Sequence, residues 1–160
     1  MQIRPFEKGD EDAVVALWER CALVRPTNDP HRDIRRKLEV RPDLFLVGEH
    51  DGQLIATAMA GYEGHRGWLN YVAVDPAHQR QGFARSIVAE AERRLRESGC
   101  PKINLQIRTS NQGVIEFYRR IGYTVDDVVS MGKRLELDRQ DPRPAPPTSR
   151  SRDPAGTGRA

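Results

Sequence analysis

The stretch Val72-Ala73-Val74-Asp75-Pro76-Ala77-His78-Gln79-Arg80-Gln81-Gly82-Phe83-Ala84-Arg85 decides the fold that we predict. Residues 68–74, which include the first three residues of this stretch, are rich in aromatic and β-branched side chains, and this indicates a strand. Near its end and beyond, small and apolar side chains recur on one helical face: Ala84, Ile87, Val88, Ala91 and Leu95. The sequence therefore predicts a strand, a loop and a helix in that order.

The loop between this strand and this helix has the features of a phosphate site. The first N–H groups of a helix have no partner within it, and the helix dipole adds partial positive charge there. Gly82 lets an anion approach the backbone because it has no Cβ, and Arg80 and Arg85 add charge. The loop predicts a site for phosphate or pyrophosphate. From the loop alone, an ordinary turn with one glycine is the alternative.

Length and composition indicate one globular domain. The chain has 160 residues, of which 38% are hydrophobic and 31% charged, enough for a sizeable core. No apolar run approaches the ~20 residues of a membrane helix. Residues 1–7 lack the apolar region of a signal peptide, so we expect a cytoplasmic protein. Its two cysteines and four histidines show no ligand spacing, so no metal is expected.

The net charge of +3 is concentrated at one end of the chain. Residues 139–160 carry five arginines and two aspartates, which account for all of it. This segment is also rich in proline, so we predict a domain over residues 1–138 and a disordered Pro/Arg-rich tail over 139–160. Because the predicted domain carries no net charge, neither a nucleic-acid nor a membrane partner is expected.

Hydrophobic periodicity and turn residues divide the chain into eleven elements. The order is β-α-α-β-β-β-α-β-α-β-β, which predicts an α+β fold with a mixed, largely antiparallel sheet flanked by about four helices. The main boundaries are strands near 1–5, 44–49, 54–61, 68–74 and 101–108, helices near 9–21, 30–38, 84–98 and 111–121, and one or two closing strands in 123–137.

Two motifs resemble those of the GNAT superfamily of N-acetyltransferases. The family form Q/R-x-x-G-x-G/A is met by Gln79, Gly82 and Ala84. Residues 111–123 resemble the form N-x-x-A-x-x-x-Y-x-x-x-G-F/Y, with valine where alanine is common. The resemblance covers roughly residues 1–138 and implies the GNAT fold. The L-x-R-P-x-N-D-P pattern of residues 23–30 also resembles a small bacterial subgroup of this family and indicates no substrate.

The resemblance implies acetyl-CoA as co-substrate. It implies that Asn111 contacts the cofactor arm or fixes the local backbone, and that Tyr118 lies near the sulfur. By the same resemblance, strand backbone groups pair with the pantetheine arm at Val72, Ala73 and Val74. Loop N–H groups would hold the pyrophosphate at Arg80, Gln81, Gly82, Phe83, Ala84 and Arg85.

The implied reaction is direct attack of a primary amine on the thioester. We expect the N–H of Val74 to stabilise the oxyanion and Tyr118 to act as general acid for the leaving thiolate. A core aromatic residue is the alternative for Tyr118. Some relatives place a basic glutamate where this chain has Gln106, which cannot take up the proton. Glu63, His65 or a water chain remain as candidates for the base.

The first two helices and the closing strands are expected to form the pocket for the amine acceptor, a small molecule or a protein amine. Arg25 could pair with a substrate carboxylate, beside Asn28 and Asp29. The alternative is that Asn28 and Asp29 merely cap the second helix. A non-catalytic CoA-binding regulatory domain and an interaction protein with a basic tail are the alternative functions, and the chain is expected to be a monomer or a homodimer.

Overall fold

A five-stranded sheet with four α-helices forms the part of the chain that can be described. The structure is a computed structural model that describes residues 1–136, so the predicted tail, 139–160, lies outside the described residues. Short 3-10 turns lie at 8–10, 42–44 and 76–78. The helices and strands are β1 Gln2–Pro5, α1 Glu11–Arg20, α2 Pro30–Glu39, β2 Phe45–His50, β3 Gln53–Tyr62, β4 Gly67–Val74, α3 Phe83–Glu97, β5 Ile103–Leu105 and α4 Gln112–Arg120.

The strands lie in the sheet in chain order, β1-β2-β3-β4-β5. The first four are antiparallel to their neighbours, and β5 is parallel to β4. Asp51 and Gly52 join β2 to β3 with φ values of 50° and 75°, because a two-residue hairpin turn of this kind requires positive φ at both positions. The predicted mixed, largely antiparallel α+β fold is confirmed.

Each face of the sheet is covered by one pair of helices. Alternate residues of a strand point to opposite faces, so Leu46 packs with the cluster of α3 and α4, and Val47 with that of α1 and α2. On the second face Trp18 lies between Phe45 and Tyr71, with ring centroids 6.0 and 4.0 Å away. The two apolar layers hold the sheet that carries the candidate site.

The predicted closing strands do not form in the part of 123–137 that the structure describes. Within residues 1–136, no strand follows α4, and β5 has three residues where the sequence predicted eight. So short a strand offers few N–H and C=O groups for another strand to pair with. Side chains tie the segment down instead: Lys102 bonds Asp126 at 2.6 Å, and Arg134 donates to the carbonyl of Thr27 at 2.8 Å.

Candidate active site

The sheet opens between β4 and β5. Only Gly67, Trp68 and Leu69 pair with β5, at residues 103–105. Residues 70–74 of β4 therefore have an edge that β5 does not cover. This edge is where the resemblance places the pantetheine arm.

A β-bulge in β4 marks the point where the strand leaves β5. The register pairs Met59 with Asn70 but Thr57 with Ala73, so one residue of β3 faces two residues of β4. The first of those two, Tyr71, has φ +49°, an uncommon conformation for a bulky side chain. Such a bulge bends the strand and increases its twist, which separates the end of β4 from β5.

The N–H of Val74 points to the open edge. The next residue, Asp75, donates its N–H to the carbonyl of Ile55 in β3 at 2.8 Å. Successive N–H groups of a strand point to opposite edges, so that of Val74 points away from β3. By the same alternation the backbone groups of Ala73 face β3. Of the predicted strand positions, Val74 is thus directed at the opening, and Ala73 is engaged in the sheet.

The loop after β4 returns to the strand through Gln79. Its Nε2 donates to the carbonyl of Val74 at 3.3 Å, so Gln79 braces the loop against the strand. Arg80 and Gly82 both adopt positive φ, 60° and 87°, which turns the backbone into the start of α3. Gln81, Arg80 and Gly82 are exposed, as a binding loop must be.

The N-terminus of α3 is open. Gly82 is its N-cap, and among residues 1–136 no side chain caps this helix. The first intrahelical bond runs from the N–H of Ser86 to the carbonyl of Gly82 at 3.1 Å, which leaves the N–H groups of Phe83, Ala84 and Arg85 at the exposed first turn. This arrangement fits an anion such as a pyrophosphate.

Asn111 caps α4 and is itself exposed. Its Oδ1 accepts a hydrogen bond from the N–H of Val114 at 3.3 Å. A side-chain oxygen at this position satisfies one of the free N–H groups of the helix. Of the two roles that the resemblance implies for Asn111, the geometry fits the fixing of the local backbone.

Tyr118 lies in the same apolar cluster as Val74 and is 6% exposed. Its ring meets those of Phe117 and Tyr123 edge to face, with centroids 5.0 and 5.2 Å away. Burial, and then the nearby Glu92 carboxylate, raise the pKa of Tyr118 above its usual value. The phenol is protonated at neutral pH, and the raised pKa makes it a better hydrogen-bond donor to an anion than a source of free protons. An open cleft of about 1360 Å³ beside β5 and α4 reaches this side chain.

The structure does not bring Glu63 and His65 to this site. Both lie in the turn between β3 and β4, at the opposite end of β4 from Val74. At about 3.3 Å per strand residue, that is roughly 20 Å away. Glu63 also accepts the N–H of Arg66 at 2.8 Å, which lowers the pKa of its carboxyl. The predicted strand bounds already place residues 63 and 65 before this strand and Val74 at its end, so the distance could have been inferred from the sequence.

Gln106 follows β5 directly and is bound to another side chain. Its Nε2 donates to the hydroxyl of Ser130, across the segment that follows α4. An amide in this bond has no basic group to offer. At the position where some relatives have a glutamate, this chain therefore has an amide that holds the segment after α4 through Ser130.

The connection between α1 and α2 holds two of the three predicted acceptor residues in structural contacts. Asp29 caps α2, because its Oδ1 accepts the N–H groups of His31 and Arg32 at 3.0 and 3.3 Å. The Oδ1 of Asn28 accepts from Arg134 at 3.3 Å. The Arg25 side chain is exposed.

Sequence reasoning missed a buried polar contact behind the bulge. Thr57 of β3 is fully buried, and its hydroxyl bonds both Trp18 and the backbone of Tyr71. The one available signal was a single hydroxyl in the otherwise apolar run of residues 54–60. Its partners are 39 and 14 residues away along the chain, so no local pattern could identify them.

Neither a metal-binding cluster nor a membrane-spanning helix is present among residues 1–136. In the range that the structure describes, no three His, Cys, Asp or Glu side chains are grouped so that they could hold a metal ion. None of the helices in that range is both long and apolar enough to cross a membrane.

This chain is similar in sequence and fold to known proteins. The model of the acetyltransferase (GNAT) family matches residues 11–123. An acetyltransferase of Pectobacterium atrosepticum is 46% identical over 140 residues, which are 88% of this chain and 99% of that protein.

Among solved structures, Ard1 from Thermoplasma volcanium superposes with a TM-score of 0.69 at 21% identity, over 78% of this chain and 83% of its own. The structure of AAC(6')-Iy with the bisubstrate analogue CoA-S-monomethyl-acetylneamine has a TM-score of 0.69 at 19% identity, over 83% of this chain and 97% of its own. These likenesses show a shared fold. With the family match and the 46% identical relative, they establish that this chain belongs to the GNAT acetyltransferase family.

Proposed function

We propose that this protein transfers an acetyl group from acetyl-CoA to a primary amine by direct attack on the thioester. The observation that carries the proposal is the open start of α3 beside the uncovered edge of β4. One element offers N–H groups to a pyrophosphate, and the other offers N–H groups to an extended arm. Few ligands other than a CoA thioester have both parts.

The chain's residues divide the binding of acetyl-CoA between them. The exposed first turn of α3, with Phe83, Ala84 and Arg85, would hold the pyrophosphate through its N–H groups, while the Arg80 side chain and the Gly82 and Gln81 backbone complete the loop. The open edge of β4 would pair with the pantetheine arm at Val72 and Val74. When bound, acetyl-CoA supplies an activated acetyl group, and the chain positions it.

Two groups of the chain serve the acyl transfer. The N–H of Val74 would donate to the thioester oxygen as negative charge develops there. Tyr118 would donate its hydroxyl proton to the leaving thiolate as general acid. Its raised pKa disfavours the phenolate, which makes that proton harder to release completely. Both lie in the apolar cluster on one face of the sheet, where a low dielectric strengthens such donors.

The amine must lose its proton before it attacks. Gln106 is bound to Ser130, and Glu63 and His65 lie at the far end of β4. We therefore assign this step to water on the side of α1 and α2, where the acceptor would enter. A lysine-like amine with a pKa of ~10.4 costs about 4.6 kcal/mol to deprotonate at pH 7, whereas an α-amine near 7.8 costs about 1. The proposal therefore favours α-amines, whether on small molecules or on peptides.

The acceptor would enter from the side of α1 and α2. Arg25 is the predicted acceptor residue with an exposed side chain, and it would pair with a carboxylate of the acceptor. Arg25→Ala should raise the acceptor KM several-fold and leave the acetyl-CoA KM unchanged. An unchanged acceptor KM would remove Arg25 from the site.

The test is release of CoA thiol from acetyl-CoA over a panel of free amino acids, polyamines, aminoglycosides and peptides, beside calorimetric titration with CoA. We expect CoA binding together with turnover of at least one α-amine, at a rate that follows the free-amine fraction as pH rises. Binding without turnover of any amine would favour the non-catalytic CoA-binding domain. The hydrogen bond of Gln106 to Ser130 is the observation on its side, because that amide offers no basic group. Failure to bind CoA would contradict both.

A further inference from the structure

A chain of buried polar contacts fixes the bulge of β4 from the side opposite the cofactor loop. The Nε1 of Trp18 donates to the hydroxyl of Thr57 at 2.9 Å, and that hydroxyl donates to the carbonyl of Tyr71 at 2.8 Å. Trp18 and Thr57 are both fully buried. The contacts join α1, β3 and β4 at a single point.

The direction of these hydrogen bonds follows from their chemistry. An indole nitrogen can only donate, so Thr57 must accept from Trp18. Its single proton is then available for the carbonyl of Tyr71, which can only accept. The positive φ of Tyr71 lies outside the extended range of a strand. Thr57 donates to the carbonyl of Tyr71 in a partly buried contact, and this hydrogen bond holds the backbone at the bulge.

The side chain of Tyr71 is held as firmly as its backbone. Its ring stacks on Trp18 with centroids 4.0 Å apart, and its hydroxyl donates to Oδ2 of Asp33 on α2 at 2.6 Å. Both helices of the acceptor side thus contact the one residue whose conformation bends β4. A bulky residue in this conformation is retained where its surroundings over-determine it.

The position of the bulge decides which N–H groups of β4 face the opening. Beyond Tyr71, the register puts Ala73 toward β3 and the N–H of Val74 toward the open edge. A shift of one residue would exchange the two and turn the N–H of Val74 into the sheet. The position of the bulge therefore determines which backbone N–H groups of β4 are available to the cofactor.

We propose that Thr57, Trp18 and Asp33 are positioning residues that hold the Tyr71 bulge and thereby aim the N–H of Val74 at acetyl-CoA. This inference rests on the proposed function for its ligand. It adds that residues on the far face of the sheet control CoA affinity without touching CoA. It also links the acceptor-side helices to the cofactor strand through Tyr71.

The central experiment compares Thr57→Val, which removes the hydroxyl at nearly constant shape, with Thr57→Ser, which keeps it. We expect Thr57→Val to weaken CoA binding by about tenfold in calorimetry, in line with the loss of buried hydrogen bonds. Thr57→Ser should stay within about threefold of the wild type. Equal CoA affinity in Thr57→Val and the wild type would overturn the proposal.

Controls separate positioning from general destabilisation. Leu95→Ala removes buried volume at the C-terminal end of α3, in the cluster on the other face of the sheet, and should lower the unfolding temperature with CoA affinity unchanged. A loss of affinity in Leu95→Ala equal to that in Thr57→Val would overturn the proposal. If Thr57→Val does not fold, Trp18→Phe keeps an aromatic ring and removes the N–H, with the same expectation for CoA affinity.

A second readout does not depend on CoA. In ¹⁵N spectra of the free protein, Thr57→Val should move the amide resonances of Val72, Val74 and Asp75, and those of α4 should stay in place. If the β4 amides do not move, Thr57 does not hold the Tyr71 bulge, and this conclusion stands even in a protein that binds no CoA. Failure of the wild type to bind CoA would instead contradict the proposed function, so the two failures are distinguishable.

Discussion

The two helices that follow β4 and β5 begin in opposite ways. α3 starts after Gly82, which has φ +87°, and in residues 1–136 no side chain caps it. α4 starts at Asn111, whose own side chain accepts the N–H of Val114. Both starts belong to motifs that the resemblance assigned to the cofactor. One offers its N–H groups to a ligand, and the other has closed part of its N-terminus with its own side chain.

This difference teaches that two motifs on one face of the sheet serve different purposes. On the proposed function, the start of α3 binds through its backbone, so side-chain identity matters less there than the conformation that Gly82 permits. The proposed contribution of α4 comes from its body, where Tyr118 belongs to the same apolar cluster as Val74. Variants at each helix should therefore affect different constants, KM for acetyl-CoA at α3 and kcat at α4.

The largest expected effect is on Tyr118. Tyr118→Phe should lower kcat by about 100-fold, because it removes the general acid and keeps the ring. Steady-state kinetics with the preferred amine measures it, with CoA affinity unchanged. Tyr123→Phe is the matched control, since its hydroxyl bonds Glu92 at 2.9 Å and has no assigned role in the reaction. Equal kcat in Tyr118→Phe and the wild type would leave Tyr118 as a core aromatic residue.

The next effect is at the start of α3. Gly82→Ala should raise the acetyl-CoA KM by about tenfold, because the positive φ that opens the loop is unfavourable for alanine by about 1–2 kcal/mol. Gly52→Ala in the β2–β3 turn is a matched control with φ +75°. No described atom lies within 4 Å of a Cβ built on either glycine. Both variants should lose similar stability in thermal unfolding, and a KM change common to both would contradict the anion site.

A smaller effect is expected for the charges around that helix start. Arg85→Gln should raise the acetyl-CoA KM about threefold at low salt, and the effect should shrink as salt screens the exposed charge. Arg120→Gln on α4, where Arg120 pairs with Glu116, should leave KM unchanged. Titration of KM against salt concentration for both variants checks this. Parallel salt dependence in the two would show that the charge effect is not local to α3.

The smallest kinetic effect should come from Asn111. Asn111→Ala removes the cap of α4 and should lower the free energy of unfolding by about 1 kcal/mol. Its acetyl-CoA KM should stay within about twofold of the wild type. Chemical denaturation and steady-state kinetics measure the two quantities. A tenfold rise in KM would instead mean that Asn111 contacts the cofactor.

The ends of several helices and strands could be predicted, because they depend on residues that are close together in the sequence. The two strands on either side of residues 51–52, the helix after Gly82 and the helix that begins near Asn111 all follow from residue type and spacing within a few positions. Their conformations depend on backbone freedom and on side-chain oxygens close in sequence. These features define the ends of the elements around the site.

What the sequence could not predict depends on distant partners. The bulge at Tyr71 needs Thr57 and Trp18, which no short pattern connects. The closing strands predicted in 123–137 do not form in the part that the structure describes, where the neighbouring β5 has three residues and so offers a short edge for pairing. By contrast, the distance of Glu63 and His65 from Val74 could have been predicted, because both precede β4 in the sequence and Val74 ends it.

The most direct test of the account is a titration of ¹⁵N-labelled protein with CoA. The central claim is that the open start of α3 and the open edge of β4 bind the cofactor, and that the capped start of α4 does not. The account predicts large shifts for the amides of Val74, Ala84 and Arg85, and small shifts for that of Val114. Large shifts at Val114 with unmoved amides at Ala84 and Arg85 would contradict it.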